Sequence, residues 1–527
     1  MYKILMTYSN TEGLDKLLTH GDFKVDIVPK PTQEKLAEII PEYDGLLIRS
    51  EVKVTNDILG SGKNLKLVVR AGTGVDNIDT LSATQKGVVV MNVPGGNTIS
   101  AAEHTIAMLL ALSRNIPPAY ISMKAGEWKK EKFVGTELQG KVLGLIGLGR
   151  IGKEVARRAQ AFEMKVLAYD PFISEEHARS LNVEICSLED IYKGSDYISV
   201  HAPLNDSTRH LINCETISKM KTGVRLINCA RGGIIDEKAL VDTIKSKKVS
   251  GAAIDVFEKE PLPKDSPLLE LENVVLTPHL GASTEEAQIK VARESSEMII
   301  DFFTQGIIRN AVNIPSVDKE TYKKLKPYLD MAEKIGAFLS QIIDGGMKGI
   351  DIIYAGDVSQ FNTSVLTSAC LKGLLTPLLD MKVNFVNAMF LAKDRGIKIQ
   401  EIKTTQTANY TSLLTAKVIT EKQQLSASGT IFDHGMPRIV EIKDMDVDII
   451  PQGCMLFLEN TDRPGIIGRI GTVLGDNDIN IAGMQVGRKS SGGEAITIIN
   501  IDTCPTTETL KTISGIDGVT KVKLVVL

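Results

Sequence analysis

Short apolar runs at 3–6, 45–48, 67–69 and 88–91 alternate with amphipathic stretches from residue 1 to about 95. Runs of that length between helical patterns predict parallel strands of an α/β sheet. Residues 100–114 are apolar nearly all round, which predicts a buried helix. The α/β rhythm is clearer over 141–280, with strands predicted at 142–146, 165–169, 197–200, 225–228 and 251–254. The pattern changes at 313–317, a predicted linker. A helix at 320–345, a strand at 349–354, helices at 364–380 and 384–396, and alternating segments ending at 439–442 then predict another α/β unit, one without a chemical motif. The final segment reads strand 454–458, helix 465–476 opened by Pro464, strands 480–486 and 494–501, helix 507–516 and strand 519–526. That βαββαβ order is ferredoxin-like.

The chain has 527 residues, enough for three or four domains at roughly 150 residues each. Its formal charge of −4 comes from 61 basic and 65 acidic residues with no basic stripe, and it has one tryptophan, Trp128. These features argue against a nucleic-acid partner. No run approaches the ~20 apolar residues of a membrane helix, and the apolar start is too short for a signal peptide. A cytoplasmic protein is expected. The six cysteines, Cys186, Cys214, Cys229, Cys370, Cys454 and Cys504, lack metal-ligand spacing. They are expected as reduced thiols, with no metal site.

The strand at 142–146 runs into Gly147, Gly149 and Gly152 of a GxGxxG motif, then a helix at 153–162, then a strand ending before Asp170. A glycine triplet alone is weak evidence, but this one follows a strand, opens a helix and precedes an acid. Gly147 permits the tight turn, Gly149 lets backbone approach a pyrophosphate, and Gly152 allows helix–strand packing. The helix N-terminus offers free N–H groups to phosphates. Asp170 should accept from a ribose hydroxyl and repel a 2′-phosphate, which favours NAD over NADP.

Three further residues stand at the ends of predicted strands or in the loops after them: Arg231 after 225–228, Glu260 after 251–254, and His279 in the segment Thr277 to Thr284. Ligands of open α/β sheets bind outside the carboxyl ends of the strands. Oxidising a 2-hydroxy acid moves a hydride from C2 and a proton from the hydroxyl. Histidine suits the proton, since its ordinary pKa of about 6.5 lies near working pH. A carboxylate would orient the ring and stabilise imidazolium, and an arginine would hold the substrate carboxylate bidentately. Singly these residues read as a surface acid, a loop charge and a core histidine. Behind a dinucleotide motif they read together as a dehydrogenase site.

The segments 69–77, 96–103, 147–152, 228–236, 255–257 and 279–282 closely resemble the D-isomer-specific 2-hydroxyacid dehydrogenases, and the resemblance covers essentially the whole chain. It implies catalytic roles for Arg231, Glu260 and His279, and NAD contacts at Thr73, Arg150, Ile151, Asp170, Cys229, Ala230, Asp255, Gly281 and Ala282. Asp255 would hold the nicotinamide amide. It implies a flavodoxin-like substrate domain in two pieces, 1–97 and 281–312, around a Rossmann-like nucleotide domain at 98–280. An intervening domain at 318–450 and a regulatory ACT domain at 453–527 would follow. Arg49, Arg70, Gly72 and Asn97 match positions that hold 3-phosphoglycerate in members feeding serine synthesis. Asn460, Asp462 and Asn480 match an effector site for L-serine. A homodimer or homotetramer is implied. Two alternatives stay open: another 2-keto acid such as glyoxylate or hydroxypyruvate, and an NAD-sensing corepressor. Arg49, Arg70 and the ACT unit weigh against the first, and the intact catalytic set against the second.

Overall fold

The computed structural model describes residues 1–315, 317–407, 409–432 and 435–527, so residue 316 of the expected linker lies outside the described residues. Two compact units divide the chain. One comprises Met1–Asn10, Lys16–Asn92 and Ser295–Leu527, the other Thr11–Asp15 and Val93–Glu294.

In the first unit, strands Phe23–Ile27, Tyr2–Met6, Gly45–Ile48, Leu67–Arg70 and Val89–Asn92 form, in that spatial order, a five-stranded sheet. All pairings are parallel. This is the 2-1-3-4-5 order of flavodoxin-like folds. Leu5, Leu46, Ile48, Val68 and Val90 are buried on one of its faces, as expected for central strands that read as apolar runs.

Further along, six mostly antiparallel strands are backed by helices Lys319–Ile342 and Ser364–Leu375. The two helices approach closely because Gly336 and Gly373 lack side chains. A Cβ on either would overlap the backbone of the opposite helix. The terminal βαββαβ unit forms a four-stranded antiparallel sheet in the order Ile481–Arg488, Glu494–Ile501, Cys454–Thr461, Val519–Val526. Helix Ile466–Asp476 and part of Thr507–Ser514 cover Leu456, Leu458 and Ile499 on one face. The other face sets Phe457 edge-on against Phe338, ring centres 6.2 Å apart. The two sheets therefore share one core.

Cys186, Cys214, Cys229 and Cys370 are free thiols, but the expectation fails for Cys454 and Cys504, which are bonded to each other with Cα atoms 5.6 Å apart. Cys454 pairs with Ile501 across the sheet, which brings the segment just beyond that strand alongside it. A sequence separation of 50 residues hides this contact.

The second unit holds a seven-stranded parallel sheet ordered Val274–Leu276, Val249–Ile254, Val224–Asn228, Tyr197–Val200, Val142–Ile146, Lys165–Tyr169, Glu184–Ile185. Counted within the unit the order is 7-6-5-4-1-2-3, the Rossmann arrangement with an added edge strand. It reverses between Val142–Ile146 and Tyr197–Val200, where a dinucleotide crevice belongs. Both faces are covered, one by a cluster that includes helix Thr98–Ser113, the other by one that includes Glu237–Lys245. Among the described residues no helix is long and apolar enough to cross a membrane.

Candidate active site

The glycine loop is built as its sequence requires. Gly147 has φ +101°, and a Cβ there would lie 2.6 Å from the His201 carbonyl oxygen. A Cβ on Gly152 would overlap the Gly147 carbonyl. Gly149 is the N-cap of helix Arg150–Ala161, with no side-chain cap and nothing within 4 Å of where a Cβ would stand. The first N–H groups of that helix have no partner within it and no side-chain cap, and the partial positive end of the helix there favours an anion. Asp170 braces the loop. Its Oδ2 accepts from Leu148 N at 2.8 Å and its Oδ1 from Phe172 N at 2.9 Å. Each oxygen keeps a further lone pair for a ribose hydroxyl. Beneath the loop, burial pushes the His201 pKa down to about 4, so the ring is neutral and bonds Ser199 Oγ at 2.9 Å. The cradle fits the pyrophosphate and ribose of a dinucleotide.

The three residues expected to be catalytic follow three neighbouring strands of the same sheet. After Val224–Asn228 the chain curls around Asn228, which is 2% exposed. Its Nδ2 donates to Arg231 O at 2.8 Å and its Oδ1 accepts from Ala230 N at 3.0 Å. This fixes the backbone of the Cys229–Ala230–Arg231 turn. After Val249–Ile254 comes Asp255, fully buried. Glu260 lies five residues further on, its Oε1 accepting from Phe257 N at 3.1 Å. After Val274–Leu276 comes His279, with φ +58°. His279 Nδ1 and Glu260 Oε2 are 2.8 Å apart, with about 40% of each side chain exposed (42% and 40%). Burial alone would raise the Glu260 pKa, but the hydrogen bond and charge of His279 outweigh it and the carboxyl is held below its usual value.

Asp255 ties this arrangement together. Its backbone carbonyl accepts from His279 N at 2.9 Å. Its Oδ1 accepts from Leu280 N at 2.7 Å and Thr277 Oγ1 at 2.5 Å, and its Oδ2 from Gly281 N at 2.9 Å. His104, on helix Thr98–Ser113, brings Nε2 to 3.2 Å from both Asp255 Oδ1 and Thr277 Oγ1. Burial would raise the Asp255 pKa, yet these donors lower it, so the buried group is a carboxylate anion. His104, Cys229 and Asp255 have ligand atoms within 4.8 Å of one another. The Asp255 oxygens already serve four donors, and burial with the Asp255 charge pushes the Cys229 thiol up to about 12. Asp255, Thr277 and His104 form a hydrogen-bonded brace. Neither His104 nor Thr277 stands out in the sequence. The available signal was a histidine at helical spacing from the apolar Ala101 and Met108. Asn97 is the N-cap residue of the same helix.

Four more of the expected residues lie in the other unit. Arg49 directly follows strand Gly45–Ile48, and Arg70 ends Leu67–Arg70 opposite Ile48. Gly72, φ +150°, leaves room for the Arg70 guanidinium, which a Cβ would overlap. Thr73 O accepts from Asn92 Nδ2. All four thus stand at the carboxyl edge of the five-stranded sheet.

In the terminal unit Asp462 Oδ2 meets Arg488 at 2.6 Å and accepts from Gly492 N at 3.1 Å. Asn460 is 5% exposed and accepts from Thr497 Oγ1 at 2.9 Å. Asn480 donates to Asp502 at 2.7 Å.

Residues 106–281 match the NAD-binding domain of D-isomer specific 2-hydroxyacid dehydrogenases, 324–443 the D-3-phosphoglycerate dehydrogenase intervening domain, and 455–517 the ACT domain. The D-3-phosphoglycerate dehydrogenase of Bacillus subtilis is 44% identical over 526 residues, covering 100% of this chain and 99% of its own. That of Methanocaldococcus jannaschii is 43% identical over 526 residues, covering 100% of both. The D-lactate dehydrogenase of Aquifex aeolicus, solved with NAD and lactic acid, superimposes with a TM-score of 0.54 at 30% identity. That superposition covers 60% of this chain and 100% of the other. The chain belongs to the D-3-phosphoglycerate dehydrogenase family of D-isomer specific 2-hydroxyacid dehydrogenases and is an NAD-dependent dehydrogenase.

Proposed function

We propose that the chain oxidises D-3-phosphoglycerate to 3-phosphohydroxypyruvate, the first step of L-serine synthesis, with L-serine as a feedback effector at the ACT unit. The observation that carries the chemistry is the 2.8 Å contact between His279 Nδ1 and Glu260 Oε2. With Nδ1–H donated to Glu260, Nε2 is the free base and takes the proton of the C2 hydroxyl. Glu260 stabilises the imidazolium that results and returns the ring to the same tautomer. The glycine cradle would hold NAD, which when bound would supply the acceptor for the C2 hydride. Arg231 holds the substrate carboxylate and polarises the C2 oxygen. Asp255, with His104 behind it, keeps the 279–281 backbone fixed, and Gly147, Gly149, Arg150, Ile151, Gly152 and Asp170 form the dinucleotide cradle. Thr73, Cys229, Ala230, Gly281 and Ala282 complete the cofactor contacts, and Gly72 and Asn97 those to substrate.

Arg49 and Arg70 supply the cations that a phosphate ester needs and that an unphosphorylated 2-hydroxy acid does not. The names of the Bacillus and Methanocaldococcus relatives support the same substrate. The substrate domain would comprise 1–97 and 281–312, the nucleotide domain 98–280, the intervening domain 318–450 and the ACT domain 453–527, in a homodimer or homotetramer. For serine, the Asp462 carboxylate is the best-placed partner of an ammonium. Its bond to Arg488 would then be exchanged for one to the effector, whereas Asn460 and Asn480 are engaged within the unit.

NADH formation from D-3-phosphoglycerate at alkaline pH, with and without millimolar-order L-serine, tests this reading. Turnover suppressed by serine is expected. Turnover indifferent to serine removes the feedback role and keeps the substrate. Reduction of glyoxylate with no phosphoglycerate turnover removes the phosphate roles of Arg49 and Arg70.

A further inference from the structure

The five-stranded sheet reverses its order between strands Tyr2–Met6 and Gly45–Ile48. In this topology the carboxyl ends of those two strands frame the ligand crevice. They run parallel with Met6 opposite Leu47, and two more residues in that register bring Tyr8 beside Arg49. The Arg49 guanidinium carbon lies 4.3 Å from the centre of the Tyr8 ring, inside cation–π range. Tyr8 is only 6% exposed, so its ring is fixed in the core, while Arg49 is half-buried. Burial pushes the phenol up to about 12 against the opposing influence of Arg49. The ring therefore stays neutral, a flat face under a planar cation.

We propose that Tyr8 is a specificity-determining positioning residue whose ring holds Arg49 in the orientation that receives the substrate phosphate. The inference rests on the phosphoglycerate reading. A long arginine side chain at an open sheet edge loses rotamer freedom when it grips an anion. One already laid on a rigid ring has less to lose, so binding costs less. The effect concerns only substrates that carry the anion Arg49 holds. The same acid without its phosphate does not engage the stack.

The test uses the full-length enzyme in the reduction direction, with phosphohydroxypyruvate and hydroxypyruvate compared in each variant. Tyr8→Leu is expected to raise KM for phosphohydroxypyruvate roughly three- to thirty-fold, with kcat and the hydroxypyruvate KM little changed. Tyr8→Phe, which keeps the ring face, should restore the phosphorylated KM. Tyr8→Met, whose longer unbranched side chain adapts to an irregular buried space, gives the same reading if leucine destabilises the sheet. In an Arg49→Lys background, Tyr8→Leu should add little, because the planar cation is already gone. A phosphorylated KM unmoved by Tyr8→Leu, or one raised equally for both acids, overturns the role of Tyr8 alone. A wild-type enzyme that reduced hydroxypyruvate but not phosphohydroxypyruvate would overturn the substrate reading, and the role of Tyr8 with it.

Discussion

Asp255 shows how much one side chain decides. It is fully buried and its four donors come from His104, Thr277, Leu280 and Gly281. Its carboxyl is held below the ordinary value of 3.8. A depressed folded pKa contributes stability above the unfolded value and loses it as pH falls through the folded one. Asp255→Asn should therefore destabilise the protein by about 1–3 kcal/mol at neutral pH. The gap to wild type should close as pH drops below 3.8. Thermal melts followed by circular dichroism from neutral to acid pH measure this, and a gap that stays constant into acid contradicts an ionised anchor. The placing of the glycines, Asp170, Arg231 and Glu260 in loops beyond strands was legible in the sequence, because each follows an apolar run. The anchoring role of Asp255 was not legible. Its partner His104 is far away in the chain and reaches it only once helix Thr98–Ser113 packs on the sheet.

At the scale of elements, apolar runs gave the strands almost residue for residue: Gly45–Ile48, Val142–Ile146, Lys165–Tyr169, Tyr197–Val200, Glu494–Ile501 and Val519–Val526 have the expected bounds. Helices ended early where side chains or proline compete with the backbone. The helix expected over 364–380 stops at Leu375, because Pro377 has no N–H to continue it, and a 3-10 turn, Thr376–Leu378, follows. The helix expected over 384–396 narrows to Ala388–Asp394. Asn384 and Asn387 there take backbone N–H groups for their own side chains, at 2.8–3.1 Å. The element that matters most for function is the strand–loop–helix around Gly152. Its missing Cβ is what lets the helix start against the Gly147 carbonyl. Because that neighbour is backbone, it cannot swing aside. Gly152→Ala should weaken NADH binding by roughly five- to 150-fold, as overpacking of about 1–3 kcal/mol implies. A fluorescence titration returning the wild-type Kd contradicts the cradle.

Over the whole molecule, the order of motifs along the chain announced both parallel sheets and the βαββαβ terminus, since each is built from local strand–helix units. The shared core of the last two sheets, with Phe338 against Phe457, was not announced, because contacts between separately readable units leave no periodic trace. The disulfide between Cys454 and Cys504 escaped because 50 residues separate two cysteines that meet only when the terminal sheet forms. The fold sets the 2-1-3-4-5 sheet, with Arg49, Arg70 and Tyr8 at its carboxyl edge, in one unit. It sets the Rossmann sheet, with the His279–Glu260 pair, in the other. An acid–base pair on the nucleotide unit is the central claim, and the most direct test is kinetic. His279→Ala should lower kcat for D-3-phosphoglycerate oxidation by roughly 10²–10⁴-fold, with NAD affinity unchanged because the cradle is untouched. A variant that kept its kcat would contradict the account.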